Sequence, residues 1–220
     1  MIAKELVTNL IPPLKTTDTG DKGLVWMHEF NVNQLPIIKG EKYWGLLNEN
    51  DILDFNDPSE IIAKFDVAPF KPYVQAKAHI YEVIKLAAEL HLAVVPVIDE
   101  KENYLGLITK DDIIKYFATL NSINENGSVI VLELNKNDYS LSEIARLVES
   151  NNTSILSSYI SKHKDSMKLE VTLKLSAVDV KQISATFERF DYTVVGTYQE
   201  SEYFEDLKDR YDSLMSYLNI

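Results

Sequence analysis

The chain has 220 residues, of which 45% are apolar, and a formal net charge of −12 at pH 7. This length allows one large domain or two small ones, and the apolar content excludes a disordered tail or a collagen-like fibre. The negative charge repels polyanions, so we expect no nucleic acid and no anionic membrane as a partner. The chain has no cysteine, which excludes disulfides and thiolate chemistry and favours a cytoplasmic location. The longest strongly apolar run, residues 92–98, is far shorter than the roughly 20 residues of a membrane helix.

The first half of the chain contains an internal repeat with a separation of about sixty residues between its copies. Each copy has an apolar strand with a proline, a charged turn, a second strand around a glycine and then an acidic residue. The corresponding parts are Leu35–Ile38, Gly45 and Asp51 in the first copy, and Val95–Ile98, Gly106 and Asp112 in the second. Apolar residues at helical spacing predict amphipathic helices over 18–31 and 78–91. A closing helix is predicted to begin at Asp51 and at Asp112.

The most specific part of the repeat is the run Gly106-Leu107-Ile108-Thr109-Lys110-Asp111-Asp112 in the second copy. It follows the pattern glycine, two apolar residues, Thr or Ser, two variable residues and Asp. With this motif the copy resembles a cystathionine-β-synthase-type (CBS) domain. Residues 1–120 resemble the tandem pair called a Bateman module, with copies over about 1–62 and 63–120. The resemblance implies clefts between the two copies in which adenosine-containing ligands bind. The first copy fits less well, because Asn48 replaces the Thr or Ser.

The second half predicts another small domain after a polar linker over residues 121–127. Alternation predicts strands, and helical spacing predicts helices, in the order βαββαβ. The strands cover 129–134, 155–161, 168–175 and 192–198, and the helices cover 141–149 and 178–190. This order is the ferredoxin-like plan, so the predicted fold class is α+β throughout. Behind a CBS pair, residues 128–199 resemble an ACT-like regulatory domain, as in the acetoin-utilisation type of bacterial CBS protein.

The C-terminal residues 200–220 predict an amphipathic helix. Its apolar residues alternate three and four positions apart, and they are Phe204, Leu207, Tyr211, Leu214 and Leu218. Its other faces are acidic. Because short isolated helices are marginally stable, we expect this helix to pack on its own protein or on a dimer mate rather than on a separate target.

Asp112 is the first candidate for ligand binding, because a carboxylate at the start of a helix can accept both hydroxyls of a ribose. Thr109 would add its hydroxyl and the helix-start amides near the ribose or a phosphate. The same two residues also resemble a capping box that only closes the helix N-terminus. Asn48 and Asp51 satisfy the same capping requirement in the first copy and form a weaker second candidate site.

A base that faces Asp112 should meet small and apolar residues from the start of each copy. By position these residues are Leu10, Pro12, Val32 and Asn33 from the first copy, with Ala93 and Leu107 from the second. The alternative is that they form a packed core between the copies. Residues 1–120 hold 12 lysines and no arginine against 18 acidic residues, a net charge of −6. Since polyphosphates attract Arg forks or Lys clusters, we favour AMP, adenosine or S-adenosylmethionine over ATP.

No pattern indicates catalysis or a metal site, because the four histidines share no metal-type spacing and no nucleophile motif occurs. The sequence therefore predicts a non-catalytic, cytoplasmic regulatory protein of bacterial type, without a cofactor. We expect a homodimer that senses an adenosyl ligand and acts on an unidentified client protein. The alternative is a ligand-free dimeric interaction scaffold, in which both capping pairs are only caps.

Overall fold

The structure of the chain is a computed structural model. It describes residues 1–55, 57–65, 71–120, 122–162 and 167–199, together with Ser213, Met215 and Tyr217. The chain divides into two compact units, Met1–Tyr116 and Phe117–Ile220. The predicted helix over 200–220 lies outside the described residues except for those three positions, which are helical. Over the part of the chain that is described, no helix is long and apolar enough to span a membrane.

The first unit consists of two copies of one small fold. The first copy contains β1 (Leu14–Lys15), α1 (Gly20–Glu29), β2 (Gln34–Lys39), β3 (Lys42–Asn48) and α2 (Glu49–Leu53). The second contains β4 (Val74–Gln75), α3 (Ile80–Glu89), β5 (Val94–Ile98), β6 (Tyr104–Thr109) and α4 (Lys110–Leu120). Each copy has a three-stranded sheet, in the order β1-β2-β3 or β4-β5-β6. The first pair of strands in each sheet is parallel and the second is antiparallel.

The repeat in the sequence is also a repeat of strand register. Pro36 lies opposite Leu46 in the first copy, and Pro96 lies opposite Leu107 in the second. In both sheets the ladder shifts between the first and the second residue after the proline. The central strands are buried along most of their length, and the buried side chains of both copies form one hydrophobic cluster. Burial on both faces explains why these strands are continuous apolar runs rather than alternating ones.

The closing helices begin two residues earlier than predicted. α2 begins at Glu49 and α4 begins at Lys110, not at Asp51 and Asp112. The reason is that the preceding residue caps each helix, so that the carboxylate takes the third helical position. Helix α1 is also shorter than predicted, because the hydroxyl of Thr19 accepts a hydrogen bond from the backbone N of Lys22 (3.3 Å) and fixes the first turn.

The second copy is closed by the N-terminal segment of the chain. The backbone N of Ala3 donates to the carbonyl of Ala78 (2.8 Å). Thr8 and Leu107 pair in both directions, with N···O distances of 2.9 and 3.3 Å. Residues that precede β1 at the start of the first copy therefore complete the backbone hydrogen bonding of the second copy.

The first copy is closed in the equivalent way by residues 61–64, which precede the second copy. The backbone N atoms of Ile62 and Ala63 donate to the carbonyls of Asp18 (2.7 Å) and Thr16 (2.9 Å). The equivalent bonds in the second copy run from the backbone N atoms of Ala3 and Lys4 to the carbonyls of Ala78 and Ala76. These acceptors lie sixty positions after Asp18 and Thr16. Each copy thus contributes its entry segment to the other, which the sequence repeat alone does not reveal.

Two equivalent tyrosines meet where the copies adjoin. The rings of Tyr43 and Tyr104 stack with centroids 6.4 Å apart. The backbone N of Tyr43 donates to the carbonyl of Glu102 (3.1 Å), and the backbone N of Tyr104 donates to the carbonyl of Glu41 (2.8 Å). The hydroxyl of Tyr43 donates to the carbonyl of Pro72 (2.9 Å). The hydroxyl of Tyr104 is buried without a hydrogen-bond partner among the described residues. Burial raises the pKa of both hydroxyls above the ordinary tyrosine value.

The second unit is built on a single four-stranded antiparallel sheet in the order β10-β7-β9-β8. Its elements are β7 (Ser128–Asn135), α5 (Leu141–Glu149), β8 (Ile155–Lys162), β9 (Lys168–Leu175), α6 (Lys181–Arg189) and β10 (Thr193–Gln199). Helix α6 begins later than predicted, at Lys181, whose backbone N is bonded to the side chain of Asp179 (3.0 Å). Both helices share one core with β7 and β9, in which Ile144 and Phe187 are fully buried against Leu132 and Leu173.

Replacing Gly106 by alanine should destabilise the first unit strongly. Gly106 has φ +139°, and an added Cβ would lie 2.4 Å from Val7 Cγ1 and 3.0 Å from the carbonyl O of Thr8. Gly40→Ala is the matched control, because Gly40 also has a positive φ (+63°) but no atom within 4 Å of an added Cβ. We expect Gly106→Ala to lower the free energy of unfolding by roughly 1–3 kcal/mol more than the control does. Urea denaturation measures the difference, and equal losses in the two variants would contradict this packing of the N-terminal segment.

Candidate functional site

The start of α4 contains the predicted Thr109–Asp112 pair. The backbone N and the hydroxyl of Thr109 donate to Asp112 Oδ2 (3.1 and 2.6 Å), and the backbone N of Asp112 donates to the hydroxyl of Thr109 (3.0 Å). The pair is therefore a closed capping box. Both residues are half-buried, and Oδ1 of Asp112 accepts no hydrogen bond from the described residues. One carboxylate oxygen holds the cap, and the other can accept a ligand hydroxyl.

The start of α2 has the same geometry with a different cap. The backbone N and the side-chain amide of Asn48 donate to Asp51 Oδ2 (2.9 and 2.8 Å). The amide oxygen of Asn48 is also used, because it accepts a hydrogen bond from Nε2 of Gln34 (2.8 Å). Both ends of the Asn48 side chain are thus engaged within the protein.

Gln34 joins the two helix starts and is absent from the residues predicted from the sequence. It is 8% exposed, and its Oε1 accepts a hydrogen bond from the backbone N of Ala93 (2.8 Å). The carbonyl of Ala93 in turn accepts from the backbone N of Lys110 (3.1 Å), the first residue of α4. A continuous hydrogen-bonded path therefore runs from Asn48 to α4. One signal in the sequence could have identified this residue. Gln34 is polar, whereas the equivalent position in the second copy is the apolar Val94.

A cleft of about 380 Å³ gathers three of the predicted ligand contacts, Val32, Asn33 and Ala93. Its lining is completed by Met27, His28, Asn31 and Glu49. Glu49 is the first residue of α2, and its backbone N donates to the carbonyl of Asn33 (3.0 Å). The cleft therefore lies beside the helix start of the first copy, and Thr109 and Asp112 do not line it.

The remaining predicted contacts are placed differently. Leu107 is fully buried in the core and pairs through its backbone with Thr8, so its side chain is part of the packing between the copies. Leu10 is 83% exposed. Pro12 is half-buried. The structure thus divides the predicted base-facing residues between core, cleft and surface and does not gather them in one cavity.

The second unit has a separate polar cleft of about 340 Å³ near the end of β7. Its lining includes Asn135 and Asp138, whose side chains are hydrogen-bonded to each other (2.9 Å). Tyr192 donates to Glu143 Oε2 (3.2 Å), and burial, followed by the charge of Glu143, raises the pKa of this hydroxyl. Over the described ranges, no group of three or more His, Asp or Glu side chains is arranged to hold a metal ion.

Replacing Gln34 by leucine should destabilise the first unit although leucine is more apolar. The variant leaves the amide oxygen of Asn48 and the backbone N of Ala93 without their present partner, at a cost of about 1–3 kcal/mol for a buried polar group. Gln75→Leu is the control, because Gln75 is exposed on β4 of the same unit and a change there should stay within about 0.5 kcal/mol. Chemical denaturation compares the two, and a Gln34→Leu variant as stable as the control would contradict the bridge.

Comparison with known proteins bears on the first unit. Residues 65–119 match the family model of the CBS domain. The chain is similar in structure to a CBS domain pair/ACT domain protein from Thermotoga maritima, with 22% sequence identity, a TM-score of 0.50 and coverage of 54% of this chain and 98% of that chain. It also matches the CBS domains of a transcriptional regulator from Streptococcus pneumoniae, with 21% identity, a TM-score of 0.47 and coverage of 52% and 98%. A further match is CBSX2 in complex with AMP, with 18% identity, a TM-score of 0.47 and coverage of 54% and 96%. Residues 65–119 are thus similar to a CBS domain, and the matched part of the chain shares the fold of the Thermotoga maritima CBS domain pair/ACT domain protein.

Proposed function

We propose that this chain is a non-catalytic regulatory protein whose CBS pair binds an adenosine-containing ligand of the AMP, adenosine or S-adenosylmethionine type. The observation that carries the proposal is the start of α4. There, in the segment that matches the CBS family, Asp112 holds the helix cap with one carboxylate oxygen and leaves the other available. A carboxylate in this state can accept a ribose hydroxyl without breaking the cap.

The second copy is the better candidate for the ligand. Helix α4 has 11 residues, so its N-terminus carries a useful partial positive charge for a phosphate or a polarised ligand oxygen. In the first copy, by contrast, the side chain of Asn48 is occupied by Gln34 and Asp51. We therefore retain Asn48 and Asp51 only as a weaker second site.

The charge of the first unit supports a weakly charged ligand. Residues 1–120 carry a net charge of −6 without an arginine, so a triphosphate would meet an unfavourable field. Adenosine, a monophosphate or a sulfonium compound meets less repulsion. Such a ligand switches the protein only to the extent that it binds one arrangement of the chain better than another.

The second unit supports an ACT-like assignment for residues 128–199, after a linker over 121–127 and a CBS pair over 1–120. The sheet order β10-β7-β9-β8, with α5 and α6 in one core with β7 and β9, supports the ferredoxin-like plan. Because a CBS pair is followed by such a domain, we propose that the chain is of the acetoin-utilisation type of bacterial CBS protein. In this proposal the ACT-like domain transmits the ligand signal to a client protein in a bacterial cytoplasm.

Ligand binding should be visible as a rise in melting temperature with AMP, adenosine or S-adenosylmethionine, because a ligand selective for the native state stabilises it by mass action. Asp112→Ala should abolish the rise. Thr19→Ala is the matched control, because it removes the cap of α1 in the same unit, at a cost of roughly 0.5–2 kcal/mol, and should keep the ligand effect. A thermal-shift titration in which no adenosyl compound stabilises the wild type would favour the alternative, a ligand-free interaction scaffold.

We further propose a homodimer, since two-fold dimers are the commonest closed assemblies. Large apolar side chains stand exposed on three helices of the first unit, at Val25, Tyr81 and Ile114. Sedimentation at micromolar concentration should give about twice the 25.1 kDa of one chain. A monomeric mass would contradict this part of the proposal and leave the ligand prediction standing.

A further inference from the structure

Each closing helix of the first unit is held at its first residue by the residue that leads into the central strand. In the first copy the backbone N of Glu49, where α2 begins, donates to the carbonyl of Asn33 (3.0 Å). In the second copy the backbone N of Lys110, where α4 begins, donates to the carbonyl of Ala93 (3.1 Å). Asn33 and Ala93 directly precede β2 and β5, the middle strands of the two sheets. They are therefore equivalent anchors for the two helix starts.

Gln34 connects these two anchors. It directly follows Asn33 in the chain, and its Oε1 accepts a hydrogen bond from the backbone N of Ala93 (2.8 Å). Its Nε2 donates to the amide oxygen of Asn48 (2.8 Å), the residue that caps α2. Because Gln34 is only 8% exposed, leaving either of these bonds unmade costs free energy. One buried side chain thus holds residues at the starts of both closing helices.

The connection between the copies at this position is asymmetric. The equivalent position in the second copy is Val94, which is fully buried and has no polar side-chain atom. Gln34 reaches from the first copy to Ala93 of the second, whereas the side chain of Val94 can neither donate nor accept a hydrogen bond. A single substitution at Gln34 therefore removes this link between the two helix starts.

We propose that Gln34 is a positioning residue that couples the start of α4 to the start of α2. A change at the start of α4 passes through Ala93 and Gln34 to the cap of α2, because hydrogen-bond networks of buried polar groups can carry such coupling. For a ligand, the inference rests on the proposed function: an adenosyl compound accepted by Asp112 would also stabilise the cap of the first copy. By linkage, the state of that cap changes the ligand affinity by the same factor.

The coupling can be measured without a ligand by hydrogen exchange of single backbone amides in the full-length protein, read by NMR. Thr109→Ala removes the hydroxyl that caps α4. We expect it to lower the protection of the Glu49 amide by at least about fivefold, relative to the amide of the buried residue Ile37 on β2. In a Gln34→Met background, which keeps the side-chain length but makes neither bond, Thr109→Ala should leave this ratio unchanged.

The matched control is His79→Ala, because it removes the cap of α3 in the same copy as α4. It should leave the ratio of Glu49 to Ile37 protection unchanged. Gln34→Val, which introduces the residue of the second copy, is a second background with the same expectation as Gln34→Met. An equal effect of Thr109→Ala with and without Gln34, or no effect in either background, would overturn the proposal.

A titration with AMP separates this inference from the proposed function. In the wild type, AMP should raise the protection of the Glu49 amide. Gln34→Met should remove this response and raise the Kd for AMP by at least about fivefold, whereas His79→Ala should change neither. Equal affinity and an equal Glu49 response with and without Gln34 would overturn the coupling and leave the proposed function intact. A wild type that binds no AMP would count against the proposed function, and the ligand-free exchange measurement would still decide the coupling.

Discussion

The buried amide of Gln34 fixes the relation between the two copies of the first unit. A buried amide is tolerated only when its polar atoms are paired, and Gln34 pairs with Asn48 of its own copy and with Ala93 of the other. These two partners adjoin the starts of α2 and α4. The positions of both caps, and with them the candidate site, therefore depend on a side chain that contacts neither Thr109 nor Asp112 in the described hydrogen bonds.

This bridge also separates two copies that are otherwise alike. Their strand registers, irregularities and entry segments correspond, yet one cap is an amide engaged on both sides and the other is a hydroxyl paired with a carboxylate. A near-symmetric fold thus presents two chemically different helix starts. In both caps the carboxylate accepts these hydrogen bonds only through Oδ2, so the two helix starts differ in the cap residue and not in the second carboxylate oxygen.

The sequence predicts elements best where a local rule acts alone. The bounds of α5, Leu141–Glu149, agree with the prediction because Ser140 caps an amphipathic run, and β9 agrees because its alternation is regular. The starts of α2 and α4 were displaced by two residues, since a capping box moves the first helical position ahead of the carboxylate. Of the candidate site, the Thr109–Asp112 pair was predictable from spacing. The bridge through Gln34 and the burial of Leu107 were not, because both depend on contacts between residues that are distant in sequence.

The exchange of entry segments has a consequence for the order in which the chain can fold. Ala3 bonds to Ala78 and Thr8 pairs with Leu107, so the N-terminal segment reaches its backbone partners only after the second copy has begun to be synthesised, and the last of them only near its end. The segment over 61–64, in contrast, reaches its partners in the first copy as soon as it is made. Contacts of such long sequence separation slow folding. The stretch 65–119 that matches a single CBS domain is therefore a unit of sequence, whereas its backbone hydrogen bonding is complete only in the pair.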